Sequence, residues 1–213
     1  MMLNIKNILP AYFDESVKDR SEWWGKDFVI GKGDYVKIVA PSGSGKSSLV
    51  HFIYGLRNEY SGHIFYNEKD IRHFSAEDFA FYRRRHISIV FQDMKLLPEL
   101  TVKKNLEIKL QLEPYYSSDK ITEMAERLGI KNKLGSVTKI CSYGEQQRAS
   151  IIRALLQPYD LLILDEPFSH LDEKNAQLAM DLILEESRKR EAAILFADLE
   201  RIDYFPCTKL YHL

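Results

Sequence analysis

The 213 residues are enough to bury a full core and read as one domain, 1–213, rather than two independent ones. With 45% apolar and 29% charged residues and a net charge of -1, the composition is ordinary for a globular protein and lacks the basic surface that nucleic-acid binding needs, so nucleic acid is not an expected partner. No window approaches about 18 uninterrupted apolar residues, and the N-terminus has no basic stretch followed by an apolar block, so the chain is not expected to cross a membrane by itself.

In chain order, apolar runs and turn signals predict strands at 3–8, 28–30, 35–39, 63–66, 87–91, 161–164, 193–196 and 209–211, with helices between the later ones. The segment 46–56 has Leu49, Phe52, Ile53 and Leu56 at helical spacing. "YRRRH", the one dense basic run, ends a predicted helix and reads as a solvated helix end, where cations suit the dipole. The stretch 101–156 reads as almost wholly helical, with its best loop candidate at "EPYYSSDK". Cys141 and Cys207 are too few and too isolated for a disulfide scaffold or a zinc site, and read as small packing residues in a reducing cytoplasm. The pattern is an α/β core carrying a helical insertion.

Between the strand at 35–39 and the helix that follows lies "APSGSGKSS". A glycine-rich turn opening a helix aims several backbone N–H groups at one spot and adds the helix dipole, so an anion fits there. Ser42, Gly43, Ser44, Gly45, Lys46, Ser47 and Ser48 supply the phosphate cradle, the phosphate-reaching ammonium and the magnesium-binding hydroxyl. A plain Gly/Ser surface turn is the competing reading of "SGSG", but Lys-Ser-Ser opening an apolar helix makes it the lesser one. Ala40 stands where the strict pattern has its first Gly.

"LLILDEPF" puts Asp165 and Glu166 at the carboxyl end of a buried strand, the edge at which open α/β sheets bind ligands. Next to a phosphate cradle, such an Asp holds magnesium or its water, and the second carboxylate orients and deprotonates the attacking water. Alone the pair is weak, because acids also cap the turn or helix that follows.

"APSGSGKSS", "VFQDMKLLPELTV", "CSYGEQQR", "LLILDEP" and "SHLD" occur in the order and at about the spacing of the ABC ATPases, and the resemblance covers nearly the whole chain. It implies an α/β P-loop NTPase core with a mostly parallel sheet, an N-terminal antiparallel β portion and a helical subdomain inserted at about 93–156. It implies ATP and Mg2+ as cofactors, with Lys46, Gln92 and Glu166 catalytic and Ser47, Gln92 and Asp165 at the metal. Gln92 resembles the glutamine that senses magnesium and links the core to the helical subdomain. Ser142 and Gly144 resemble the signature residues that grip ATP held by the opposite subunit, and Asp172 the aspartate that couples two sites across a dimer. The family stacks an upstream aromatic on adenine; Tyr12 and Phe13 are the candidates, Trp23 and Trp24 compete, and all four could simply be packing. The segments at 91–106 and 144–148 look most like the lipoprotein-releasing, macrolide-efflux and cell-division ABC ATPases. That resemblance implies a separate transmembrane subunit, a second ATP-binding subunit, identical or not, and a place on the cytoplasmic face of the membrane.

Three positions depart from the family pattern: Ala40, Tyr143 in place of a signature Gly, and Ala197 where a His usually follows a strand. A methyl at position 40 is tolerable at negative φ and costly at positive φ. The first functional reading is an ATP-hydrolysing subunit of a membrane ABC system that dimerises on ATP. The second is an ATP-gated regulatory module with little hydrolysis, favoured by Tyr143 and Ala197. A small-molecule phosphotransferase would leave the signature segment and Asp172 without a job.

Overall fold

The computed structural model describes residues 1–41, 43–199 and 205–213. Two sheets form. The N-terminal one is antiparallel, in the order β2 (Asp27–Ile30), β1 (Leu3–Pro10), β4 (Tyr60–Tyr66) and β5 (Lys69–Asp70). The other is parallel throughout, in the order β6 (Ile87–Val90), β7 (Leu161–Asp165), β8 (Ala193–Asp198), β3 (Tyr35–Val39) and β9 (Lys209–His212). Its crossovers carry helices α2 (Lys46–Tyr54) and α3 (Ala76–Arg85) before β6, then α4 (Val102–Leu112), α5 (Asp119–Arg127) and α6 (Tyr143–Leu155) before β7, and α7 (Glu173–Arg190) before β8. A four-residue helix, α1 (Val17–Arg20), lies between β1 and β2.

The parallel sheet is apolar on both faces because both are covered. Leu162 and Leu164 of β7, with Ile194 and Phe196 of β8, face a core built with α4 to α7. Their neighbours Leu161, Ile163, Leu195 and Ala197 face the other core, shared with α2 and the antiparallel sheet. Trp23 and Trp24 are fully inside that second core, Trp23 stacked on Phe28 with ring centroids 4.1 Å apart. Burying one such side chain is worth roughly 1.5–3 kcal/mol.

Several expectations need correction. Leu56 does not share the buried face of α2: the helix stops at Tyr54, Gly55 caps it at φ 72°, and Leu56 is left exposed. Strand β4 begins three residues earlier than its pattern suggested, because Tyr60 and Ser61 pair with Pro10 and Leu9 beyond a bulge in β1. The segment 101–156 is three helices rather than nearly continuous helix; after α5 the chain turns at Gly129, and Thr101 bridges to Val137. The basic run is not wholly solvated, since the Arg83 guanidinium donates to the carbonyls of Tyr54 and Gly55 at 3.2 and 2.7 Å and so closes the end of α2. Cys141 is buried, whereas Cys207 is exposed and is not a core residue.

Candidate functional site

Strand β3 delivers the chain to the carboxyl edge of the parallel sheet, where it turns through Ala40 and the glycines into α2. Gly45, the N-cap of α2, sits at φ 95°, and a Cβ there would lie 2.9 Å from Trp24 and 3.2 Å from Phe13. Glycine is required there on both counts. Ala40 does not lie in the positive-φ region and is 1% exposed, so its methyl is accommodated in the core without backbone strain. The first turn of α2 contains no acidic residue, leaving the positive end of its dipole unopposed.

At this edge a cavity of about 280 Å3 is lined by Tyr12, Gly43, Gly45, Lys46, Ser47, Ser48, Gln92 and Glu166. Lys46 is buried, its Nζ donating to the carbonyls of Ala40 at 2.6 Å and Pro41 at 3.2 Å and lying 3.6 Å from Glu166 Oε1. Gln92 Nε2 donates to Glu166 Oε2 at 3.1 Å. Glu166 itself has φ 46°, a left-handed conformation that costs a side-chain-bearing residue about 1–2 kcal/mol. It is held there by its N–H, which donates to Ala197 O at 2.9 Å, and by its carbonyl, which accepts from Gln147 Nε2 at 3.3 Å. Strain fixed from both sides aims the carboxylate at Lys46 and Gln92.

Asp165, at the end of β7, is 2% exposed. Burial pushes its carboxyl up to about 6, against the lowering effect of a Ser47 hydrogen bond and with a further push from neighbouring Glu166. Its Oδ1 has no hydrogen-bond partner. A buried acceptor left open beside a serine hydroxyl, on the residue preceding the carboxylate that holds the Gln92 amide, fits a magnesium ion, which takes one or two carboxylates and completes its shell with phosphate and water. Among the described residues there is no cluster of three or more His, Cys, Asp or Glu that would hold a metal unaided.

Tyr12 is half exposed at the cavity rim, its hydroxyl 2.5 Å from Ser48 Oγ. Phe13 packs edge-on against both Tyr12 and Trp24, and Trp24 Nε1 donates to Ser44 O at 3.2 Å. Trp24 therefore shapes the loop from behind, whereas Trp23 packs on Phe28 and Tyr211. Ser44 Oγ donates to Pro41 O at 2.8 Å. Ser42 lies outside the described residues.

Ser142, Gly144 and Asp172 do not line this cavity. Ser142 caps α6 in a capping box with Glu145, and Asp172 caps α7 by accepting from Asn175 N at 2.8 Å. A Cβ on Gly144 would come within 3.0 Å of His170 O. Tyr143 is exposed and stacks on His170, ring centroids 5.3 Å apart. Ala197 is not beyond a strand end: it lies inside β8, opposite Asp165, and is 1% exposed on the face toward α2.

Two residues that sequence reasoning passed over tie these parts together. Gln147 is fully buried and reaches Glu166 O, Ser169 Oγ and, through its Oε1, the N–H of His170 at 2.8 Å. Arg153 donates to the carbonyls of Met94 and Lys95, both at 2.7 Å, and fixes the left-handed turn that follows Gln92. A buried glutamine in "GEQQR" looks like any polar helix residue until its partners are known.

Residues 25–169 match the family described as ABC transporter. The chain belongs to the ABC transporter family. It is 34% identical over 199 residues to the cell division ATP-binding protein FtsE of Bacillus subtilis (strain 168), an alignment covering 92% of this chain and 85% of that one. It is 36% identical over 174 residues to the lipoprotein-releasing system ATP-binding protein LolD of Legionella pneumophila (strain Paris), covering 80% and 77%. In fold it matches a dimeric, post-hydrolysis structure of the ATP-binding cassette MJ0796 bound to ADP and Pi, with a TM-score of 0.80 at 23% identity over 93% of this chain and 88% of that one. The chain is thus an ABC ATPase nucleotide-binding subunit, with the parallel core and N-terminal antiparallel sheet that its motifs imply. No helix among the described residues is long and apolar enough to cross a membrane.

Proposed function

We propose that this chain is the ATP-driven subunit of a membrane transporter or force-transmitting complex, working on the cytoplasmic face with a separate transmembrane subunit and closing on ATP against a second ATP-binding subunit. The observation that carries the reading is the convergence of Lys46, Gln92 and Glu166 on one cavity at the start of α2, beside the open acceptor of Asp165. Lys46 and the N–H groups at 43–48 hold the phosphates. Ser47, Asp165 and Gln92 hold magnesium, which when bound neutralises charge on the phosphates and polarises the bond to be cut. Glu166 takes a proton from the attacking water, and Gln92 keeps its carboxylate in place. Tyr12, rather than either tryptophan, supplies the exposed ring for adenine. Ser142, Gly144 and Asp172 act on the nucleotide of the opposite subunit, and the helices within 93–156 form the subdomain that meets the transmembrane partner. Likeness to proteins named for lipoprotein release and cell division supports the membrane setting.

A second reading has its own observation: Ala197, buried inside β8, offers no side-chain donor where the family has a histidine. In that case closure on ATP is the signal and hydrolysis is rare. Multiple-turnover phosphate release, measured together with ATP affinity, separates the two; tight binding without turnover would favour the second reading, and absence of ATP binding would overturn both.

A further inference from the structure

The turn between β7 and α7 carries a histidine that has no task in the proposed function. His170 is exposed and stacks on exposed Tyr143, the ring centroids 5.3 Å apart and the planes 25° apart. Fully buried Gln147 fixes it: Oε1 accepts from the His170 N–H at 2.8 Å, which assigns the other amide atom, Nε2, as the nitrogen. That Nε2 lies 3.3 Å from Ser169 Oγ and can only donate, so the serine accepts there and turns its one hydrogen to His170 Nδ1, 3.0 Å away. An imidazole that accepts at Nδ1 carries its hydrogen on Nε2. Among the described residues nothing accepts from that N–H.

Tyr143, Ser169 and His170 do not line the phosphate cavity of their own chain. They lie beside Ser142 and Gly144, close enough that a Cβ on Gly144 would stand 3.0 Å from His170 O. The proposed function turns that face toward the nucleotide of the opposite subunit. In a second copy of this chain, the γ-phosphate met there has no side-chain donor from Ala197, which is buried inside β8. One copy thus lacks a donor at the place toward which the other presents an unused one.

We propose that His170 Nε2 of one copy donates a hydrogen bond to the γ-phosphate held by a second copy, supplying in part the donor that Ala197 cannot, and that Tyr143 is the residue positioning the ring. This rests on the closure of two copies on ATP put forward above. In the step itself, the oxygen of the attacking water bonds to the γ-phosphorus as the bond from that phosphorus to the β,γ-bridging oxygen breaks. Glu166 takes the water proton, the electron pair of the broken bond leaves with ADP, and His170 keeps its proton while stabilising charge on the γ-phosphate oxygens. A ring carried on an exposed turn is less preorganised than a group built into a strand, so the compensation is partial.

Phosphate release by the full chain with ATP and magnesium tests it. His170→Ala should lower turnover about tenfold with melting temperature and ATP affinity unchanged, and His170→Gln, whose amide donates from nearly the same place, should keep most of the rate. Ala197→His should raise turnover more in His170→Ala than in wild type, because the two histidines serve one role. Tyr143→Ala should cost about threefold when His170 is present and nothing when it is absent, which a merely structural tyrosine would not do. Mixing places the donor. When His170→Ala is combined with a large excess of Glu166→Gln before ATP is added, nearly every intact Glu166 lies opposite an intact His170, and turnover per His170→Ala chain should rise about tenfold. Equal turnover by His170→Ala and wild type, or no rise in the mixture, overturns the assignment. A wild type that binds ATP and closes without turning over also overturns it and leaves the second reading standing. If wild type neither binds ATP nor closes, the proposed function fails and this inference with it.

Discussion

Gln92 and Glu166, 74 positions apart, meet through a 3.1 Å hydrogen bond from the amide Nε2 to the carboxylate Oε2. The bond joins the turn after β6 to the end of β7, so displacement of the segment that carries Gln92 alters what holds the candidate base. In Glu166→Gln the hydrogen-bonding shape survives but the proton acceptor does not. ATP should bind with near-normal affinity, phosphate release should fall by about 10²–10⁴, and a closed dimer should accumulate on size exclusion with magnesium and ATP. Elution of both proteins as monomers would remove the closing dimer from the proposal.

Lys46 is the cation nearest that carboxylate. Lys46→Ala removes a charge-assisted contact worth about 1.5–3 kcal/mol, so ATP affinity should weaken roughly ten- to hundredfold by equilibrium binding. The same change leaves Glu166 buried without its ion pair, so melting temperature should also fall. Affinity equal to wild type would sink the phosphate cradle.

Asp165 makes nucleotide binding sensitive to pH. Its carboxyl titrates near 6 rather than at the ordinary 3.8, so the folded chain holds this proton more tightly than the unfolded one. The stabilisation, about 3 kcal/mol, is fully present below about 4 and is lost as pH rises through 6, so that it is gone at neutral pH. Magnesium needs the ionised form. Magnesium-dependent ATP affinity should therefore fall about tenfold between pH 7 and pH 5, and Asp165→Asn should flatten that profile. A profile equally steep in the variant would place the titration elsewhere.

Ala197 sets the expected rate. A missing hydrogen bond to a charged group costs about 1.5–3 kcal/mol, which predicts turnover slowed roughly ten- to hundredfold relative to a site that has one. Ala197→His should raise phosphate release, and because the methyl it replaces is packed on the α2 side, it should also cost about 1–3 kcal/mol of stability. A fast wild-type rate unmoved by the histidine would show that another group fills the role.

Glu186, fully buried on α7, tests the packing of the helical segment instead. Burial alone would raise its carboxyl, but hydrogen bonds from Tyr116, Arg190 and Lys189 outweigh it and bring it down to about 2. The stabilisation, about 3 kcal/mol, is present above the ordinary 4.5 and is lost as pH falls toward 2. Glu186→Gln should lower the melting temperature at pH 7 and narrow its gap from wild type at pH 3.

The motif residues and the strands were legible in the sequence because their signals are local. Gly45, Lys46 and Ser47 follow one another through a single turn, and β7 is an apolar run that ends in two acids. Even Ala40 could be framed beforehand as a question of φ, which the backbone then answered. The pairing of Gln92 with Glu166, the left-handed backbone of Glu166 and Gln147 beneath it depend on chain segments that meet only after folding. Burial decides them, and burial belongs to the packed whole: it turned Trp23 and Trp24 into core, closed β8 around Ala197 and moved the titration of Asp165. No residue type or spacing carries that information, because the low dielectric and the missing counter-charge are made by neighbours distant in the chain.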